Sequence, residues 1–178
     1  MEEVTDKASL ADRWHEMLFG VRRSIRYHKR RRGFFDRLDQ CSSMLSVIFG
    51  SAAIYGILKS TNTEDLALIS SGLVTVLAAV NLVVGSSRRA REHDDFARRF
   101  IALEKRMLGA ESEQVLHEVS EARLSIEAEE PPVMQVLNCL CHNEQMRAMG
   151  YKKEELAQIG PLQRLFAHFF DWRESTIH

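Results

Sequence analysis

Residues 40–58 and 66–87 carry no charged side chain, in a chain of 178 residues that holds 24 Lys and Arg and 25 Asp and Glu. The two stretches run 19 and 22 residues, and a helix of about 20 apolar residues crosses the hydrocarbon core of a bilayer. The polar link 59–65 between them, Lys-Ser-Thr-Asn-Thr-Glu-Asp, suits the turn of a transmembrane hairpin. One Asp, Lys or Arg at the centre of a membrane helix costs roughly 2.5–3.5 kcal/mol on insertion scales. The competing reading is a pair of buried helices in a soluble bundle, but soluble helices usually keep a polar stripe and these have no ionised one. A net charge of −1 looks ordinary only because it averages two unlike materials.

The flanks set an orientation. Eight Lys or Arg lie between positions 22 and 37, against the single acid Asp36. Arg88, Arg89 and Arg91 follow the second stretch at once, whereas the link holds Lys59 beside Glu64 and Asp65. Basic residues stay on the cytoplasmic side, so both termini are expected inside and the link outside. The first 33 residues are charged and lack the pattern of a secretory signal. Three cysteines, Cys41, Cys139 and Cys141, make no disulfide framework and fit free thiols.

Outside these stretches the apolar residues recur at helical spacing. Leu10, Trp14, Met17, Val21 and Ile25 share one face, up to an interruption expected at Gly33. Phe34 and Phe35 follow where aromatic rings favour a membrane interface. Phe96, Phe100, Leu103 and Met107 form a second stripe. With no proline from 66 to 108, the second span and this stripe are expected to form one continuous helix of roughly 65 Å. After a break at Gly109, a third helix carries Leu116, Val119, Arg123 and Ile126, and ends at Glu129, Glu130, Pro131 and Pro132. Val133, Val136, Leu137 and Leu140 form the next stripe. The tail from Gly160 and Pro161 sets Leu162, Leu165, Phe166, Phe169 and Phe170 on one helical face, read as core or as a helix lying in the headgroups. The expected fold is therefore an all-α membrane protein, a two-helix transmembrane hairpin with a cytosolic helical bundle formed by the N- and C-terminal helices. Its segments are 1–37, 38–87 and 88–178, and the stripes flanking the hairpin are expected to close as an antiparallel pair.

No catalytic motif stands out, so no enzyme is expected. Cys139, Cys141 and His142, with His117 or His93 approaching in space, form the one candidate metal cluster. Their spacing favours core thiols over zinc, and no metal or cofactor is expected. His28 beside Lys29 reads as a solvated or headgroup residue. Within the spans, Ser42, Ser46, Gly50 and Ala53 follow one another on the first helix, and Ser71, Thr75, Ala78, Asn81 and Gly85 on the second. Such stripes either hold membrane helices together or line an aqueous path; Ser42, Ser46, Gly50, Ser71, Thr75, Ala78 and Asn81 are the pore-lining candidates. The basic residues Arg22, Arg23, Arg26, Lys29, Arg30, Arg88, Arg89 and Arg91 either anchor to anionic headgroups or bind an anionic ligand such as a nucleotide or oligonucleotide.

A basic amphipathic helix, a two-span hairpin with a very short link, and an Arg-rich helix running from Arg88 to Met107 occur here in succession. From Arg13, Trp14, His15, Glu16 and Met17 to Met107 this resembles the SLATT family, two-transmembrane effectors associated with SMODS nucleotidyltransferases and SLOG sensors in bacterial conflict systems. Residues 126–133, 141–144 and 148–151 resemble the C-terminal extension of one branch of that family. The resemblance implies an effector that assembles in the bacterial inner membrane and permeabilises it when phage infection is sensed. A partner nucleotidyltransferase would supply the nucleotide signal, because no sensor or nucleotidyltransferase domain is fused to this chain. One hairpin leaves lipid on every side, so several copies must ring a path, and a homotetramer is the expectation. The rival is a non-conducting adaptor in which the hairpin tethers a cytosolic binding module to the bilayer.

Overall fold

A computed structural model describes residues 2–58 and 64–177, and every regular element among them is a helix. In chain order these are α1 (Glu2–Leu58), α2 (Glu64–Val84), α3 (Ser86–Arg106), α4 (Glu113–Glu127), α5 (Gln135–Ala148) and α6 (Pro161–Phe166), with single 3-10 turns at Lys153–Glu155 and Glu174–Thr176. Residues 59–63 of the expected link lie outside the described residues.

Two expected boundaries move. The first helix does not stop at Gly33: α1 runs through it for 57 residues, because one interior glycine costs only about 1 kcal/mol relative to alanine. The continuous helix 66–108 is instead broken at Gly85, whose φ is +60°. The hydrogen-bond ladder crosses the break, with Gly85 N–H donating to Asn81 O at 2.9 Å and Arg89 N–H donating to Gly85 O at 3.0 Å. Left-handed backbone costs an L-residue with a Cβ roughly 1–2 kcal/mol. Gly85→Ala is therefore expected to lower stability by about that amount in thermal unfolding of the detergent-solubilised protein, whereas Gly72→Ala, in an α2 position with nothing within 4 Å of the added Cβ, should not.

The chain forms two compact units, residues 32–92 and residues 1–31 with 93–178. In the first, α1 and the α2–α3 segment each contain a stretch long and apolar enough to cross a membrane, and only 6% of each apolar window is buried. Core helices of soluble proteins would bury most of such a window. Here Val47, Ile48, Ile57, Leu68, Leu82 and Val83 are all more than half exposed. The buried positions are mostly small: Ala53, Gly56, Ser70, Ser86 and Ala90. Phe35, expected at an interface, is 3% exposed, with the Arg89 guanidinium 5.8 Å from its ring centroid.

In the second unit, Trp14, Val21 and Ile25 of α1 share a core with Phe100 and Leu103 of α3, Met107, and Leu116, Val119 and Ile126 of α4. These are the residues of three sequence stripes, so each helix buries the face that its apolar spacing defines. Gly20 lets α4 come close, since a Cβ there would stand 2.8 Å from Arg123 Nη1. A second core joins Tyr27 to Val136, Leu137 and Cys141 of α5, with Ile159 and Ala167. The first two N–H groups of α5, on Gln135 and Val136, donate to the two oxygens of Asp171, both at 2.9 Å. A carboxylate there satisfies orphan donors and complements the positive end of the helix.

The terminal helix is shorter than its pattern and turned over. Leu162, Leu165, Phe169 and Phe170 are exposed, while Gln163 and Ala167 face inward, so the reading of that stripe as core is overturned. Gln163 takes the inward place because its amide is fully used: the side-chain oxygen accepts from Gly160 N–H at 2.8 Å, and the nitrogen donates to Arg173 O at 3.0 Å.

Candidate functional site

The unit that holds the apolar helices contains an open cleft of about 640 Å³, with hydroxyl and amide groups in a mostly apolar lining. Ser42, Ser43 and Ser46 line it from α1, Ala78 and Asn81 from α2, and Ser86, Ser87 and Arg88 from α3, with Asp39 at its margin. The side chains of Ser42, Ser46 and Asn81 are half-buried and make no hydrogen bond among the described residues. This leaves the Asn81 amide open to water or to a further polar partner at the cleft.

Four of the seven pore-lining candidates thus come together: Ser42, Ser46, Ala78 and Asn81. The other three do not line the cleft. Ser71 and Thr75 are exposed and bond back to their own helix, Ser71 Oγ donating to Leu68 O and Thr75 Oγ1 to Ser71 O, both at 2.9 Å. Such back-bonding satisfies a hydroxyl in a membrane helix without any neighbour. Gly50 is half-buried and lies apart from the cleft. Helical spacing grouped Ser71 and Thr75 with Asn81, yet two successive steps of three, through Ala78, set Asn81 about 120° around the helix from Thr75. Ser43, Ser86 and Ser87 were missed, because serine alone carries no signal for which face it lines.

The basic residues divide. Arg22 Nε donates to Glu104 Oε1 at 2.7 Å and Arg26 Nε to Gln145 Oε1 at 2.9 Å, and Arg30 pairs with Glu144. Positions 22, 26 and 30 are four apart, so one line of arginines on α1 meets α3 and α5. Arg31, in the same run, donates from Nη1 to the carbonyl of His168 at 2.7 Å. Lys29 is exposed. In the other unit Arg88 faces Glu92 at 3.6 Å, Arg91 donates to Ser87 Oγ at 3.0 Å, and Arg89 lies over Phe35. Arg23 alone of the α1 candidates is half-buried with no hydrogen-bond partner for Nε. Burial first, and then repulsion from Arg123, lower its pKa from the usual guanidinium value.

His28 is not a solvated residue. It is 1% exposed, its Nδ1 lies 2.9 Å from His93 Nδ1, and its Nε2 lies 3.0 Å from Glu130 Oε1. The ring stacks on Phe100 at 5.6 Å. Sequence spacing contained this signal: His28 stands three residues after Ile25, on the buried face. One Nδ1 must donate and the other accept for this contact to be a hydrogen bond.

The cysteine cluster does not assemble. Cys141 is fully buried and burial pushes its thiol pKa up to about 12, which leaves it protonated and inert. Burial also raises the Cys139 pKa and lowers that of His142, whose ring meets Phe19 edge-on at 5.0 Å. His93 is engaged with His28, and His117 sits 3.4 Å from Glu121. Among the described residues no three His, Cys, Asp or Glu are grouped to hold a metal ion. No protein-family model, curated protein or solved structure matches the chain.

Proposed function

We propose that this chain is a membrane protein whose two apolar helices form a transmembrane hairpin, with both termini in the cytoplasm of a bacterium. Several copies, four in the simplest ring, assemble in the inner membrane into a regulated pore that acts in antiphage defence. A nucleotide or oligonucleotide made by a partner nucleotidyltransferase controls it through the cytosolic helices. The observation that carries the conducting part of this reading is the cleft around Asn81. It sets an unmatched amide and several hydroxyls among helices whose other faces are exposed and apolar. Lipid cannot satisfy that amide, whereas a water-filled path between copies does. The basic residues flanking both apolar stretches support the orientation, and the resemblance to SLATT effectors supports the defence role and the ligand.

Ion flux through liposomes containing the purified protein, with and without nuclease-treated extract of infected cells, tests the reading. Flux in either condition that is absent from protein-free liposomes is expected. No flux in both, together with full activity in cells after both spans are exchanged for an unrelated two-helix anchor, would establish the tethered adaptor instead.

A further inference from the structure

The segment that begins with α6 exposes Leu162, Leu165, Phe169, Phe170 and Trp172, each by more than two fifths. Exposed apolar surface that is contiguous marks a binding surface. The aromatic half of this one is contiguous: Phe166 stacks on Phe170 with ring centroids 5.0 Å apart, and Trp172 stands 6.0 Å from Phe170. The exposure is built in, because polar groups fix the segment from its inner side. Gln163 Nε2 donates to the carbonyls of Trp172 and Arg173, at 3.3 and 3.0 Å. Asp171 holds the start of α5 with both oxygens, and Ala167 is buried in the second core.

Two observations say what covers it. The first is place. Arg31 Nη1 donates to the carbonyl of His168 at 2.7 Å, which ties the aromatic segment to α1 at that residue. The helix runs on from Arg31 without a break, and its charge-free stretch begins nine residues later, at Gln40. That is about 14 Å of helix rise. The second is chemistry. The exposed rings stand in sequence between Arg164 and Arg173, both exposed, while Asp171 is committed to α5 and Glu174 is the exposed acid beside them. Tryptophan gathers at membrane–water interfaces, where one side of its ring is wet and the other apolar. Arginine there lays its stem on apolar surface and keeps its head among phosphates. A contact between copies needs neither feature.

We infer that this segment is an interfacial anchor, whose exposed aromatic rings enter the headgroup level of the bilayer with Arg164 and Arg173 beside lipid phosphate. The inference takes its placement from the transmembrane reading of α1 and stands whether or not the protein conducts.

The test reconstitutes the full chain into liposomes of phosphatidylcholine and phosphatidylglycerol, with phosphatidylcholine brominated either high on its acyl chains or near their ends. Bromine quenches tryptophan on contact. Trp14 lies in the core shared by α1, α3 and α4 and supplies a constant background, so the difference between wild type and Trp172→Phe is the emission of Trp172. That emission should be mostly lost with bromine near the headgroups, and retained better with bromine near the chain ends. Val76→Trp, made in the Trp172→Phe chain, tests the hairpin separately, because Val76 is 59% exposed on α2 and should be quenched best by the deep bromine. Quenching at Val76→Trp without quenching at Trp172 overturns the inference and leaves the hairpin standing. Quenching at neither overturns both, and quenching at Trp172 alone keeps the anchor and overturns the hairpin. A Trp172 shielded from bromine and from aqueous iodide alike would also overturn the anchor, and would assign the patch to a contact between copies.

Discussion

Asn81→Leu is expected to cut flux through the reconstituted protein roughly tenfold to hundredfold, while Thr75→Leu should leave most of it. The two positions lie six residues apart on α2, and the sequence sets both in one stripe of pore-lining candidates. The structure separates them, because Thr75 Oγ1 bonds to Ser71 O within its own helix and Asn81 lines the cleft without a partner. Replacing the amide by an isobutyl group removes both a donor and an acceptor from the proposed path. Losing compensation of about 1–3 kcal/mol for a polar group or ion corresponds to roughly a tenfold to hundredfold drop in rate. Ser46→Leu, across the cleft on α1, should act in the same direction. Equal losses at positions 75 and 81 would place the path elsewhere, and full flux in Asn81→Leu would remove the cleft from it. The liposome assay reads these variants directly, with protein incorporation measured to exclude insertion defects.

Phe100→Ala has the largest expected effect on stability. Phe100 is fully buried, belongs to the core shared by α1, α3 and α4, and carries the His28 ring on its face at 5.6 Å. Truncation of a buried Phe to Ala costs about 3–5 kcal/mol, through lost transfer energy and the cavity left behind. For a unit of this size that lowers the thermal midpoint by about 10 °C or more. Phe100→Leu should lose well under half as much, since it keeps most of the volume. The Ala variant also uncovers the contact between His28 and His93. A midpoint within about 3 °C of wild type would show that this core does not hold the unit together.

The core was legible because it rests on period. Trp14, Val21 and Ile25, then Phe100, Leu103 and Met107, then Leu116, Val119 and Ile126 recur at three and four, and these residues are buried. The same reasoning failed on the terminal stripe. Five apolar residues from Leu162 to Phe170 outweigh one glutamine in any periodic reading, yet Gln163 faces inward because its amide finds Gly160 and Arg173. Hydrogen bonds to a distant loop carry no periodic signature. The break at Gly85 was hidden for a related reason, since glycine is compatible with a helix and with its interruption. At the cleft, Asn81 was visible as an amide in an apolar run, and its neighbours Ser43, Ser86 and Ser87 were not. The role of the basic block was ambiguous because its partners, Glu104, Glu144 and Gln145, lie 82, 114 and 119 residues further along the chain.

Those long separations order events during synthesis. Arg22, Arg26 and Arg30 leave the ribosome well before the side chains that later bind them. At about 5–20 residues per second, the 114 residues between Arg30 and Glu144 take roughly 6 to 23 s to make. Throughout that interval Arg30 is unpaired and carries its full charge. For the proposed hairpin, that is the period in which flanking charge would set its orientation. Arg22 gains Glu104 once α3 is made, and Arg26 and Arg30 gain their partners only when α5 emerges.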